Sequence, residues 1–92
     1  MDDLIGRLVI SLAGRDKGKM SVVVGISEPG FVLIADGRGR KAEAPKKKKL
    51  KHVRLVEGLP GEIGTVPESR FTNRFIREAV GAAQEALSDT PM

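Results

Sequence analysis

The sequence contains no cysteine, no tryptophan and no tyrosine, and only one histidine and three phenylalanines. Without cysteine there is neither a disulfide nor a thiolate metal site, a composition that fits a reducing cytoplasm. No apolar run approaches the roughly 20 residues that span a bilayer. The opening Met1-Asp2-Asp3 is acidic where a secretory signal is basic, so export is not expected. Phe31 is the only phenylalanine before residue 70, which makes a platform for stacking single-stranded bases hard to build.

Catalytic constellations are missing as well. His52 stands alone in a basic stretch, where histidine more often serves structure or contacts phosphate than acts as a base. No serine or threonine sits in a recognisable nucleophile motif, and the carboxylates are dispersed. Gly37-Arg38-Gly39-Arg40 is glycine-rich but lacks the lysine and following helix of a phosphate loop. The expectation is therefore no catalytic residue, no metal, no cofactor and no small-molecule substrate.

What is present is positive charge in one half of the chain. Residues 1–55 carry 13 Lys and Arg against 6 Asp and Glu, a net of +7, and residues 56–92 carry 3 against 6, a net of −3. A basic module joined to an acidic tail points to a polyanionic partner. At 92 residues the chain suits one small domain. Its sequence divides into a module over 1–56, a Gly/Pro-rich linker over 57–68, and an amphipathic helix with a short tail over 69–92.

Residues 5–24, I-G-R-L-V-I-S-L-A-G-R-D-K-G-K-M-S-V-V-V, read as strand, glycine-bounded loop, strand. Gly14 and Gly18 bound the loop, and Arg15, Lys17 and Lys19 make it cationic. Asp16 is expected to hold the loop's shape by accepting nearby backbone N–H groups. Strands are expected over 5–12, 19–27, 31–35, 39–44 and 50–55. Glu28-Pro29-Gly30 suits a type II turn and Asp36-Gly37 a hairpin. Five short strands at this spacing predict a small β-barrel. Val22-Val23-Val24 and Phe31-Val32-Leu33-Ile34 are apolar on both faces, so something must cover the outside, and the C-terminal segment is the candidate.

Pro45-Lys46-Lys47-Lys48-Lys49 is a run of like charge, expected as an extended loop, either a solvated linker or an arm that contacts phosphates. In the C-terminal part, Phe71, Phe75, Ala79, Ala83 and Ala86 recur at helical spacing with Ile76 and Val80 beside them, predicting a helix over 69–87. The Phe71/Phe75/Ile76 stripe has three readings: docking on the barrel, a face for a protein partner, or a segment disordered by itself.

The core V-I-S-L-A-G-R-D-K-G-K resembles the KOW motif of ribosomal proteins and transcription-elongation factors. Over residues 5–53 the chain resembles short bacterial KOW-domain RNA-binding proteins akin to a eukaryotic-type large-subunit ribosomal protein family, through V-L-I-A-D-G, R-K and P-K-K-K-K-L-K-H in that order. The resemblance implies a mainly β fold, a five-stranded SH3-like (KOW) barrel with the C-terminal amphipathic helix added. It also implies binding to folded RNA, ribosomal RNA foremost, in association with the ribosome or other translation proteins. The RNA-contacting candidates are Gly14, Arg15, Lys17, Gly18 and Lys19 in the loop, then Arg38, Arg40, Lys41, Lys46, Lys47, Lys48, Lys49 and Lys51. The alternative is a protein-interaction module, as in elongation-factor KOW domains, using Phe71, Phe75 and Ile76. The acidic, helical C-terminal extension departs from the basic extensions of the ribosomal relatives and favours an accessory association over stoichiometric incorporation.

Overall fold

The computed structural model describes residues 4–59 and 64–88. The expected frayed start at Asp2 and Asp3, and part of the expected Gly/Pro linker, lie outside the described residues. The fold is mainly β, one five-stranded antiparallel sheet with a single C-terminal helix. The strands are β1 (Leu8–Ser11), β2 (Met20–Glu28), β3 (Phe31–Ala35), β4 (Lys46–Lys49) and β5 (Val53–Leu55). Their order across the sheet is β4-β3-β2-β1-β5. The helix, α1, spans Asn73–Ser88.

β1 and β2 form where β-branched residues cluster, and their register sets Val9 opposite Ser21. β2 continues against β3 with irregularities between Val23 and Gly25 and between Ile26 and Glu28. Such bulges increase local twist and bend the strand. β5 pairs with the other edge of β1, Val9 opposite Leu55. Because successive side chains alternate between faces, the doubly apolar strands feed two separate cores. One holds Val9, Val23, Val32 and Ile34, with Val53 and Leu55 packed against it. The other holds Leu8, Met20, Val22 and Ala35, and is completed by Val56, Val66, Ile76 and Ala83.

α1 covers that second face. Ile76 and Ala83 are fully buried, and Phe71, Ala79 and Val80 pack partly against the same cluster. Thr72 caps the helix: its Oγ1 accepts the Phe75 amide at 3.3 Å, the usual role of a hydroxyl at this position. Val66 also returns to the sheet, donating its amide to the Gly6 carbonyl at 2.7 Å and burying its side chain. Among the described residues no helix is long and apolar enough to cross a membrane.

Four expectations are corrected. The fourth strand does not lie at 39–44: residues 36–45 form a loop, and the strand is the lysine run itself. Repulsion within the run is relieved because alternation sends neighbouring lysines to different partners, described below. The two-residue hairpin at Asp36-Gly37 is not made either. Asp36 Oδ1 accepts the amides of Arg38 and Arg40, each at 2.9 Å, which closes a compact polar turn instead. The last expected strand is split, since Leu50–His52 is a 3-10 turn and only Val53–Leu55 pairs. The helix starts later than its periodicity suggests, because Glu68–Arg70 is another 3-10 turn.

Docking of α1 makes Ile76 a core residue. Replacing Ile76 with alanine is expected to lower the unfolding free energy by about 2–4 kcal/mol in urea denaturation, the range for a buried isoleucine. A loss under about 1 kcal/mol would mean that the helix does not share the core.

Candidate functional site

The loop between β1 and β2, residues 13–19, is closed at its base by the Gly18 amide on the Ser11 carbonyl at 2.8 Å and the Ser11 amide on the Lys19 carbonyl at 3.0 Å. Gly14 and Gly18 take φ values of 79° and 86°, a region costly for residues with a Cβ. The loop therefore turns back on itself within a few residues and leaves Arg15, Lys17 and Lys19 exposed.

Asp16 in the same loop points inward and is only 9% exposed. It meets side chains rather than the backbone amides expected of it. Lys46 Nζ lies 3.1 Å from Asp16 Oδ2 and Lys48 Nζ lies 3.8 Å away. Lys48 also donates to the Ala13 carbonyl at 2.8 Å. One buried lysine of β4 thus holds the loop at two points. Burial pushes the Asp16 carboxyl up, but the ammonium of Lys46, together with that of Lys48 and the charge of Arg40, outweighs it and leaves the carboxyl below its ordinary value.

The other lysines of β4 face away. Lys47 pairs with Glu28 and sits 4.6 Å from the Phe31 ring centroid. Lys49 is exposed and has no ion-pair partner among the described residues. The run divides accordingly. Lys48 is a buried structural residue and Lys46 is half-buried against Asp16, so Lys48 is withdrawn from the solvent-facing candidates. Lys47, Lys49 and Lys51 remain on the surface or near it.

The second basic loop, 36–45, is pinned by α1. Asn73 Oδ1 accepts the Ala42 amide at 2.8 Å, and Asn73 Nδ2 donates to Glu43 at 2.7 Å. Arg77 donates to the Gly37 carbonyl at 3.1 Å. Gly37 is buried, and a Cβ there would overlap the Asn73 carbonyl oxygen and the Arg77 side chain. Only glycine allows this approach. The Asn73 hydrogen bond, with the Glu43 backbone amide and the nearby Lys41 charge, holds the Glu43 carboxyl below its ordinary value.

The two loops meet. Arg15, Lys19 and Arg40 line one cleft of about 260 Å³, with Asp16, Ser21, Asp36 and Gly39. Both acids in it are engaged, Asp16 by lysines and Asp36 by the Arg38 and Arg40 amides. Three cations with flexible stems therefore face the opening. Arg38 lies on the neighbouring surface with Lys19 and Arg77. Lys17 and Lys41 are exposed but do not line the cleft. Guanidinium and ammonium groups so placed suit phosphate oxygens. Among the described residues no group of three or more His, Cys, Asp or Glu side chains could hold a metal ion.

Of the residues expected to meet a protein partner, Ile76 is buried and Phe71 half-buried. Phe75 is 37% exposed, with the Arg70 guanidinium 4.4 Å from its ring centroid. Asp36, Gly37, Asn73 and Arg77 carry the geometry of the second loop, although none of them was expected as a site residue. Asp36 had a local signal, an aspartate followed by alternating glycines. Asn73 had none, because its partners lie 30 residues or more away. No protein-family model matches this chain, and no curated protein matches it.

Asp16→Asn is expected to cost about 3 kcal/mol of stability at pH 7, since it leaves the buried Lys48 charge without its counter-charge. A depressed folded value means that the carboxylate stabilises the fold above its unfolded value of 3.8. That contribution is lost as pH falls through the lower folded value. Urea denaturation across pH should therefore show the gap between wild type and Asp16→Asn widest at neutral pH and narrowing below about pH 4.

Proposed function

We propose that this chain is a non-enzymatic, cytoplasmic RNA-binding module, an SH3-like barrel of the KOW kind, that contacts folded RNA in association with the ribosome or translation. The strand order β4-β3-β2-β1-β5, with a 3-10 turn between β4 and β5, supports the barrel reading. So does the sharing of one apolar cluster by Val53 and Leu55 of β5 with Val32 and Ile34 of β3, although two strands separate them in the sheet. The RNA reading rests on one observation above the others: Arg15, Lys19 and Arg40 converge on one cleft while its acids are already engaged. Preorganised cations of this kind grip backbone phosphates and favour recognition by shape over sequence. Ribosomal RNA is the first candidate because of the resemblance to ribosomal KOW proteins.

A protein-interaction module is the second reading, favoured by Phe75. Its exposed ring borders a small apolar groove of about 250 Å³ lined by Val66, Pro67, Ala79 and Ala82.

Binding to a folded ribosomal RNA fragment across a salt series separates the two. Wild type should bind with affinity that falls steeply with salt. In the Arg15/Lys19/Arg40→Ala variant the slope of log K against log salt should be shallower by about 2, roughly 0.7–0.9 for each lost phosphate contact. Absence of binding at low salt, or an unchanged slope in the variant, would overturn the RNA reading. Salt-insensitive binding of a protein, lost in Phe75→Ala, would support the second.

A further inference from the structure

Phe31 and His52 are distant in sequence but share one open surface of about 540 Å³ with Ala13, Gly14, Lys47, Lys48 and Lys49. The backbone places both residues. Phe31 opens β3 opposite Lys49, the last residue of β4. The Leu50 amide then bonds the Gly30 carbonyl at 2.8 Å, and the Leu12 amide bonds the His52 carbonyl at 2.8 Å. The 3-10 turn Leu50–His52 is thereby tied to the start of β3 and to the end of β1. Lys47 and Lys49 leave β4 on the face opposite Lys46 and Lys48, while Lys48, bound to the Ala13 carbonyl, borders the same surface from its other side.

The chemistry of this surface differs from that of the cleft. It carries two planar rings, both half-buried, with Lys47 Nζ 4.6 Å from the Phe31 centroid, over one face of that ring. The His52 imidazole has no hydrogen-bond partner among the described residues, which leaves its ring nitrogens free for a ligand. The Lys47–Glu28 pair is about half exposed on both sides, so a phosphate can compete for that lysine. Lys49 is exposed beside it. A regular duplex presents phosphates and has no use for flat apolar groups. An unpaired nucleotide presents both a π-face and a phosphate.

We propose that this surface takes one unpaired base of the RNA, stacked against Phe31 and His52, with the flanking phosphates on Lys47 and Lys49. The inference rests on the RNA reading above and narrows it. The cleft at Arg15, Lys19 and Arg40 takes duplex backbone, and this second contact selects an RNA with a base extruded beside the helix. The scarcity of aromatics makes a multi-base platform hard to build but leaves room for one base, because the fold brings the sole histidine onto the same surface as Phe31.

The test uses the full chain and two RNA duplexes identical except for one unpaired 2-aminopurine. The bulged duplex should bind about tenfold tighter, in line with stacking of a single base, and its 2-aminopurine emission should fall on binding. His52→Ala and Phe31→Leu should each bring the preference to within about twofold and remove the quench, in line with loss of that stacking, while affinity for the paired duplex stays unchanged. That unchanged affinity also shows that the variants fold. Equal affinity of wild type for the two duplexes, or a preference that survives in both variants, overturns the inference and leaves the RNA reading standing. If wild type binds neither duplex at low salt, the RNA reading fails and this inference fails with it.

Discussion

The arrangement of the basic surface depends on one buried ion cluster. Asp16 draws Lys46 and Lys48 of β4 toward the β1–β2 loop, and Lys48 reaches the Ala13 carbonyl behind it. A strand of four lysines would repel itself if all four faced the same way. Here Asp16 neutralises one side, and Glu28 with the Phe31 ring receives Lys47 on the other. The same contacts that make β4 possible fix the loop that carries Arg15 and Lys19. Charge that reads as a binding feature therefore splits into a structural half and a half left for a partner. A buried pair of this kind is weak evidence for stability in itself; its consequence is a loop held in one shape.

The C-terminal helix does the corresponding work for the second loop. Its apolar side closes one face of the sheet through Ile76 and Ala83. Its first two turns hold residues 36–45 through Asn73 and Arg77, with Gly37 pressed against the helix backbone. The helix belongs to the net-acidic part of the chain, yet it positions Arg40, one of the three cations of the cleft. Basic module and acidic extension thus share one core and a set of hydrogen bonds.

Much of this was legible in the sequence where the pattern is local. The first three strands and the helix follow from β-branched runs and helical spacing, and Gly14 and Gly18 marked the ends of the first loop. The doubly apolar strands correctly required a cover, and α1 covers one face. What the sequence did not disclose depends on pairings between remote residues. The lysine run resembled a solvated loop because Asp16, which makes it a strand, lies some 30 residues earlier. Lys48 had the composition of a surface contact, and only burial identifies it as structural; for Ile76, docking on the sheet was one of three readings, and its burial selects that one. Arg40 sat in an expected strand, but the Asp36 turn places it across from Arg15.

The central claim is that residues 13–19 and 36–41 form one phosphate-facing surface while α1 serves as their support. Amide chemical-shift mapping of the isotope-labelled chain, titrated with a folded ribosomal RNA fragment, tests it most directly. The account predicts that amides of Arg15, Lys19 and Arg40 move together along one saturation curve, with Phe75, Ala79 and Ala82 left in place. Perturbations confined to Phe75 and its groove, or saturation of the two loops at different RNA concentrations, would contradict it.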